Sequence, residues 1–285
     1  MVKFSKLQAT GNDFVLMNCF EEPLTDVPLD VLARNICDRH FGIGADGLLL
    51  LLPSKIANFR MRIFNSDGSE AEMCGNGIRC FALYLYEHGL WEDKNIDIET
   101  LAGVKRVKMF LEGKKVEGVR VGMGNPIFQR ESIPIKGKDN PLNMSLRAAG
   151  RRWEVSALSM GNPHCVILVD DVEHFPVEKV GPEIENHPLF PHRTNVEFVE
   201  VLNRDELKIR VWERGVGETL GCGTGACASL VVTALKGLTN RSARIHLKGG
   251  DLFVEWQESG EVFLSGPAEE VFQGEVKLEK FLGKR

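Results

Sequence analysis

Met73-Cys74-Gly75-Asn76-Gly77 and Gly221-Cys222-Gly223-Thr224-Gly225 are two copies of one short motif, one in each half of a 285-residue chain. In each copy a cysteine is followed by Gly-x-Gly, and an apolar stretch with helical character comes next. Two thiols at the starts of two matched helices predict a site in which one thiol serves each face of a substrate carbon. Such a site would invert a stereocentre.

The motif pair is part of a longer internal repeat. A Gly-Asn pair precedes each cysteine, with the asparagine 62 residues before the first cysteine and 60 before the second. Nine residues before each cysteine, a segment that alternates like a strand ends in a polar residue. These four polar positions are Asn12, Asn65, Asn162 and Glu213. Four matched features in the same order predict two similar domains related by a pseudo-twofold axis, with the site between them.

The fold class predicted from these patterns is mixed α/β (α+β). We expect an N-terminal half over residues 1–122 that carries Cys74, and a C-terminal half over 123–266 that carries Cys222. The last segment, about 267–285, is expected to pack back on the first half. Further expected elements are a helix over Val27–Asp38 with Asp26 as N-cap, a hairpin over Val104–Val121, a helix over Pro176–Asn186 and a surface loop over Lys136–Asn143.

Composition excludes several classes of function. Apolar residues make up 43% of the chain, enough for a substantial core. The formal charge of −5 comes from 35 basic and 40 acidic residues without a basic block, so we expect no nucleic-acid or membrane partner. Without a signal-peptide pattern the protein is expected in the cytoplasm. Seven cysteines, an odd number in a long chain, argue against a disulfide framework.

The glycine-rich helix starts carry the predicted chemistry. Unpaired N–H groups and the helix dipole suit a carboxylate there, and they lower the pKa of a thiol at the same place. Removing the α-proton of an amino acid builds negative charge on its carboxylate, which two helix starts can stabilise. A thiolate on one face and a neutral thiol on the other complete the exchange without a cofactor. The two thiols must then differ in protonation.

Polar residues around the repeat are candidates for holding the substrate. Four asparagines could hold amino and carboxylate groups: Asn12, Asn65, Asn162 and Asn195. Glu213 could hold an ammonium group, and Arg214 could bind a second carboxylate in a fork. His164, close to the second Gly-Asn pair, could tune a thiol or contact the substrate.

At these residues the chain closely resembles the diaminopimelate epimerase family. The matching segments run in the family's order along nearly the whole chain: Ala9–Phe14, Phe41–Gly47, Asn65–Gly77, Gly161–His164, Arg193–Glu197, Trp212–Gly215 and Gly221–Ala226. One departure is Gly47, where some members carry Gln, and we assign Gly47 no substrate contact.

The resemblance implies a cofactor-independent interconversion of LL- and meso-diaminopimelate, a step toward lysine. It implies Cys74 and Cys222 as the acid/base thiols, with His164 and Glu213 beside them. The reacting carboxylate would be bound by Gly75, Asn76, Gly223 and Thr224. Substrate contacts would come from Asn12, Asn65, Asn162, Asn195, Glu213 and Arg214. The family fold is a pair of similar domains, each a barrel-like, mostly antiparallel sheet around a central helix, and members are commonly homodimers.

Two alternatives remain at this point. The first is a two-cysteine racemase or epimerase of the same fold that acts on proline, hydroxyproline or a similar amino acid; a phenazine-type isomerase of this fold would be expected to lack the cysteine pair. The second is a metal or redox module. The spacings of Cys74 to Cys80 and of Cys222 to Cys227, six and five residues, are poor zinc-ligand patterns, so no metal is expected.

Overall fold

The structure is a computed structural model that describes residues 1–21 and 23–283. Contacts divide the chain into two units. Unit 1 comprises Met1–Val121 together with the segment that begins at Gly266, and unit 2 comprises Gly122–Ser265. The boundary expected from the sequence, between residues 122 and 123, lies one residue further along the chain than this one. Residues 284 and 285 of the expected C-terminal segment lie outside the described residues.

The described residues form eighteen strands and five helices. The strands are β1 Val2–Ala9, β2 Asn12–Asn18, β3 Gly47–Leu52, β4 Phe59–Asn65, β5 Glu70–Ala71, β6 Asn95–Thr100, β7 Gly103–Glu112, β8 Lys115–Gly124, β9 Met144–Ala148, β10 Arg151–Ser159, β11 Pro163–Leu168, β12 Asn195–Asn203, β13 Glu206–Glu213, β14 Gly217–Thr219, β15 Ser242–Leu247, β16 Gly250–Trp256, β17 Val262–Gly266 and β18 Glu269–Val276. The helices are α1 Leu29–Ile36, α2 Gly75–Glu87, α3 Val177–Glu185, α4 Gly223–Leu235 and α5 Glu279–Leu282.

Unit 1 is built on mostly antiparallel strand pairs. Strand β1 pairs with β2 and with β18, β3 pairs with β4, and β6 and β8 each pair with β7, all antiparallel. The pairs β2–β3 and β4–β6 are parallel. The two parallel pairs need crossover connections. The helices α1 and α2 lie in these two connections.

Unit 2 repeats these pairings, with β9 at its beginning in the place that β18 has at the end of unit 1. Strand β10 pairs with β9 and β11, β12 with β13, and β16 with β15 and β17, all antiparallel. The pairs β11–β12 and β13–β15 are parallel, and they are spanned by α3 and α4. Apart from α5, each element of unit 1 therefore has a counterpart in unit 2. The two matched domains and the mixed fold predicted from the sequence are confirmed.

The two helices that follow the cysteines are the central helices. The first eleven residues of α2 are buried, and α2 contacts β1, β2, β3, β4, β7 and β18. Helix α4 is equally enclosed and contacts β10, β11, β12, β13, β15 and β16. Both helices are apolar around most of their circumference because strands cover them on several sides. The cysteine that precedes each helix is therefore held at the N-terminal end of a buried helix.

The other helices cover the outer faces of the sheets. Leu32 and Ile36 of α1 pack with Phe281 of α5 in a core of unit 1, while Val180 and Ile184 of α3 pack with Trp153 in unit 2. The helix predicted over Val27–Asp38 is present but shorter, over Leu29–Ile36, and its predicted N-cap was wrong. Pro28, rather than Asp26, is the N-cap, and Asp26 has a φ of 62°, which takes it out of helical geometry. Within the described part of the chain, no helix is both long and apolar enough to cross a bilayer.

Candidate active site

Cys74 is the N-cap residue of α2. Its extended backbone, with φ −139° and ψ 120°, ends the preceding segment, and the N–H of Gly77 donates a hydrogen bond to its sulfur at 3.4 Å. An N-cap side chain that accepts such a bond satisfies one of the unpaired N–H groups of the helix start. The thiol is half-buried and donates to Oδ1 of Asn12 at 3.8 Å. The structure thus joins the first Gly-Asn pair to the first cysteine motif.

Asn12, which accepts the hydrogen bond from this thiol, is itself hydrogen-bonded to Asn76. Nδ2 of Asn76 donates to Oδ1 of Asn12 at 3.3 Å, and Oδ1 of Asn76 accepts from the hydroxyl of Thr10 at 3.5 Å. Below them lies Arg79, whose side chain is fully buried. Its guanidinium donates to Thr10 Oγ1 at 3.2 Å, to the Gly75 carbonyl at 3.1 Å and to the Pro267 carbonyl at 3.2 Å. A buried cation therefore lies beneath the start of α2.

A charged network orients Asn12 from its other side. Nδ2 of Asn12 donates to Oδ2 of Asp46 at 2.6 Å, which leaves Oδ1 facing the thiol and Asn76. Arg39 pairs with both Asp13, at 2.7 Å, and Asp46, at 2.8 Å, and Lys6 pairs with Asp13 at 2.5 Å. Although burial favours the protonated form of Asp13, the bonds and charges of Arg39 and Lys6 outweigh it and lower the pKa to about 2.

Asn65 lies at the end of β4, beside the Asp46 segment. It is exposed, and its Nδ2 donates to the Ser69 hydroxyl at 2.9 Å. Its register partner on β3 is Gly47, and the next residue, Ser66, donates its N–H to the Asp46 carbonyl at 3.1 Å. An added Cβ at Gly47 would lie 2.8 Å from the Phe64 carbonyl oxygen, so close packing accounts for that glycine.

Cys222 has the same backbone role in unit 2 as Cys74 in unit 1. It is the N-cap of α4 with φ −119° and ψ 115°, and the N–H of Gly225 donates to its sulfur at 3.4 Å. The Thr224 hydroxyl lies 3.3 Å from the same sulfur. Unlike Cys74, Cys222 is buried.

A buried histidine and glutamate lie beneath this second helix start. The side chains of His164 and Glu197 are both fully buried, with Nδ1 of His164 2.7 Å from Oε1 of Glu197. Nε2 of His164 lies 2.9 Å from Oδ1 of Asn162, so the second Gly-Asn pair reaches Glu197 through the imidazole. The other carboxylate oxygen of Glu197 is buried and has no hydrogen-bond partner among the residues described.

The remaining predicted residues of unit 2 lie at adjoining strand ends. Asn195 is the register partner of His164; its amide donates to the Pro163 carbonyl, and its oxygen accepts the N–H of Arg214, both at 2.9 Å. Glu213 accepts a hydrogen bond from the Thr219 hydroxyl at 2.6 Å. The guanidinium of Arg214 donates to the His192 carbonyl at 3.3 Å. Asn195 therefore holds the backbone of Pro163 and of Arg214 through its side chain.

The expectation that a helix start lowers the thiol pKa is wrong for Cys222. Burial raises the pKa of this thiol well above its ordinary value, and the charges of Glu213 and Glu197 raise it further. The hydrogen bonds from Thr224 and from the Gly225 N–H act in the opposite direction but are smaller. The effect of the helix start on the pKa of Cys222 is thus outweighed by desolvation and by the two carboxylates.

Sequence reasoning did not single out Glu197, Arg79 or Asp46. Two of these had a visible signal. Glu197 interrupts an apolar strand between Val196 and Phe198, and Arg79 interrupts the apolar start of α2. A charged residue within a buried element must have a partner, so such an interruption marks a polar cluster. Among the residues described, no group of three or more His, Cys, Asp or Glu is arranged to hold a metal ion.

Comparison with known proteins places these residues in a wider context. The family model for diaminopimelate epimerase matches residues 4–129 and 156–271. The diaminopimelate epimerase of Moorella thermoacetica is 55% identical over 97% of this chain and 99% of its own, and that of Pelotomaculum thermopropionicum is 54% identical over 95% and 98%. A crystal structure of a PhzF-family phenazine biosynthesis protein from Bacillus anthracis shares the fold, with a TM-score of 0.70 at 17% identity over 97% of this chain and 99% of that one.

Proposed function

We propose a two-thiol mechanism for this chain, which belongs to the diaminopimelate epimerase family and is an isomerase that interconverts LL-2,6-diaminopimelate and meso-diaminopimelate in lysine biosynthesis. Cys74 and Cys222 are the acid/base pair, and no cofactor takes part. The observation that carries the proposal is the repeated N-cap: in each unit a cysteine begins the central buried helix and accepts the N–H three residues on.

In this mechanism one thiolate removes the α-proton while the other thiol donates a proton to the opposite face of the same carbon. The C–H bond that breaks leaves its electron pair on the substrate, and that charge spreads onto the reacting carboxylate. N–H groups at Gly75, Asn76, Gly223 and Thr224 bind the carboxylate and stabilise it as the charge develops. When the product leaves, the thiolate has become a thiol and the thiol a thiolate.

The polar residues at the strand ends bind the parts of the substrate that do not react. Asn12, Asn65 and Asn162 contact its amino and carboxylate groups, and Asn195 contributes through its side chain and through the Arg214 backbone that it holds. Glu213 binds an ammonium group beside Cys222, and Arg214 binds the distal carboxylate. The demand for charged groups at both ends of the substrate favours diaminopimelate over proline.

We further propose that the protein acts as a homodimer in the cytoplasm. Within each subunit, units 1 and 2 each supply one half of the active site. Thiolate chemistry requires reduced cysteines, and the described cysteines are all unbridged. Analytical ultracentrifugation at several protein concentrations tests the dimer, for which a mass near twice 31.8 kDa is expected.

The mechanism is tested by incubating the enzyme in D₂O with each isomer separately. The expected result is that the product isomer carries solvent deuterium at the inverted carbon, while proline under the same conditions gains none. The Cys74→Ser and Cys222→Ser variants should each lose epimerisation. Treatment with hydroxylamine, which removes pyridoxal groups, should leave the wild-type rate unchanged.

Cys19→Ala provides the matched control, because Cys19 is a buried thiol of unit 1 that packs in the core with α1 rather than at a helix start. This variant should retain wild-type exchange. Full activity in either serine variant, or equal turnover of proline, would contradict the proposed function.

A further inference from the structure

The strand registers allow the two helix starts to be compared residue by residue. In unit 1, Phe14 of β2 lies opposite Gly47 of β3; in unit 2, His164 of β11 lies opposite Asn195 of β12. His164 therefore corresponds to Phe14. Two residues further along the second strand of each pair, Glu197 corresponds to Leu49.

The glycines above these residues confirm the match. An added Cβ at Gly77 would meet Leu49 at 3.2 Å and Phe14 at 3.6 Å, while one at Gly225 would meet Oε1 of Glu197 at 2.8 Å. A leucine and a phenylalanine thus fill the space beneath α2, and a glutamate with a histidine fills it beneath α4.

Other matched positions differ in charge in the same direction. Nine residues before the cysteine, unit 1 has Asn65 and unit 2 has Glu213. Five residues after the cysteine, unit 1 has the buried Arg79 and unit 2 has Cys227. Unit 2 therefore places two carboxylates near its thiol, whereas unit 1 places an uncharged pair at those positions and a cation below its helix start.

We infer that Glu197, a residue with no role in the mechanism above, acts with Glu213 to hold Cys222 as the neutral thiol, so that the resting enzyme carries its thiolate on Cys74. Glu197 is a positioning residue, since it contacts His164 and the underside of the helix start rather than the substrate. The inference rests on the two-thiol mechanism and determines which of its two protonation states is populated before a substrate binds.

Cys222 is expected to stay neutral because its ionisation is opposed by the charges already around it. Ionising Cys222 would create a second negative charge in a buried space that already holds Glu197, and burial weakens the screening between them. Both Glu197 and Glu213 raise the pKa of Cys222 in agreement with this geometry. Near Cys74, the carboxylates of Asp13 and Asp46 are balanced by Lys6 and Arg39.

Other strands that pack against the two central helices carry further charged residues. Around α4, strands β10, β15 and β16 carry Arg151, Arg152, Glu154, Arg244, His246, Asp251 and Glu255. Among these, Asp251 pairs with His246 and Arg244. Around α2, strands β4, β7 and β18 carry Arg60, Arg62, Lys105, Arg106, Lys108, Glu112, Glu269, Glu270 and Glu275. Arg62 pairs with Glu70 and Arg60 with Glu99, so these cations have partners of their own.

The test measures the ionisation of each thiol separately. Wild-type protein without substrate is alkylated with iodoacetamide in short pulses between pH 5 and pH 10, and each cysteine is quantified by peptide mass spectrometry. The midpoint for Cys74 is expected about one pH unit or more below that for Cys222. In Glu197→Gln the Cys222 midpoint should fall by about one unit, which at a pH below both midpoints is about a tenfold faster alkylation, while the Cys74 midpoint stays unchanged.

Three controls keep the result specific. Glu154→Gln removes an exposed carboxylate from the same unit and should move neither midpoint. Glu197→Asp retains the charge and should retain the high Cys222 midpoint. Cys80 and Cys227, both fully buried, report unfolding if they become alkylated. Should Glu197→Gln unfold by that criterion, the double variant His164→Phe/Glu197→Leu installs the pair that unit 1 uses, and it should lower the Cys222 midpoint in the same way.

A wild-type Cys222 midpoint at or below that of Cys74 overturns the inference, and so does an unchanged Cys222 midpoint in either folded variant. These outcomes can be distinguished from a failure of the proposed function. Full activity of Cys222→Ser would remove the two-thiol mechanism without altering the order of the midpoints, and reversed midpoints would leave the losses in the serine variants intact.

Discussion

Units 1 and 2 share a fold, a strand order and a cysteine N-cap, yet the space beneath their helix starts is filled in opposite ways. Beneath α2 lie Phe14 and Leu49, with the Arg79 guanidinium further along the helix; beneath α4 lies the His164–Glu197 pair. The backbone N–H that reaches each sulfur is the same, at 3.4 Å in both units. A repeated backbone can therefore place its two thiols over different buried side chains, and at Cys222 burial and two carboxylates outweigh the effect of the helix start on the thiol pKa.

This difference has a chemical consequence. Two identical, interacting thiols would lose their protons in two separate steps, but the first thiolate would be shared equally between the two sites. On the proposed mechanism, the matched backbone keeps N–H groups for the carboxylate in both units, and the different residues beneath them assign the thiolate to one thiol.

The largest expected effect concerns the requirement for both thiols. Cys74→Ala and Cys222→Ala should each lower kcat/KM for epimerisation by about 10² to 10⁴, the range for loss of a general acid or base. The losses should be of similar size although the two sites differ, because inversion needs one proton removed and one delivered. Steady-state assays in both directions measure this, and a variant that kept more than a tenth of the activity would show that its thiol is dispensable.

The second effect is on the stability of unit 1. Arg79→Met should destabilise the protein by about 2–4 kcal/mol, because its bonds to Thr10 and to the Gly75 and Pro267 carbonyls are lost in a buried place. Urea unfolding measures the loss. Arg106→Met, at an exposed arginine of β7, is the control and should change stability by less than about 0.5 kcal/mol. Equal stability of the two variants would mean that Arg79 contributes nothing specific.

The third effect compares the two glycines above the buried pairs. Gly225→Ala should lower the free energy of unfolding by about 1–3 kcal/mol. The added Cβ would lie 2.8 Å from Glu197 Oε1, and Glu197 is held in place by His164. Gly77→Ala meets only carbon atoms, at 3.2 Å or more, and should cost less. Thermal and urea unfolding of both variants give the order, and a larger loss of stability in Gly77→Ala would contradict the difference in packing beneath the two glycines.

The last effect is the pH dependence that Asp13 of unit 1 contributes to the stability of the protein. Asp13 has a pKa lowered to about 2, so its ion pairs contribute fully above the unfolded value near 3.9 and are lost as the pH falls from about 4 to 2. That contribution is about 2 kcal/mol. The equivalent position in unit 2 is Pro163. Unfolding free energies measured from pH 7 to pH 2 should fall less steeply in Asp13→Asn than in wild type, whereas parallel curves would assign the acid sensitivity elsewhere.

Much of the architecture could be read from local patterns. The alternation of Phe59, Met61 and Ile63 predicts a strand, and the structure has β4 over Phe59–Asn65. The duplicated Gly-Asn positions need a left-handed backbone, and Gly11 and Gly161 have φ of 81° and 93°. The predicted start of α1 was wrong because aspartate is a residue type that favours the N-cap position, whereas in the structure Pro28, two residues later, is the N-cap.

The candidate site was harder to read because its decisive contacts join residues far apart in sequence. Glu197 lies 33 residues from His164, and Asp46 lies 34 residues from Asn12. A charged residue in an apolar run shows that a partner is needed but does not identify the partner, which depends on strand register.

The amino-acid sequence alone determined the repeat, the two helix starts and the thiols that begin them, because hydrophobic period, glycine and chain spacing act over short distances. Only the tertiary structure decided how easily the second thiol ionises. Burial and the placement of carboxylates from β12 and β13 around α4 set the electrostatic environment of Cys222, and these depend on which strands pack against the helix rather than on its neighbours in the chain.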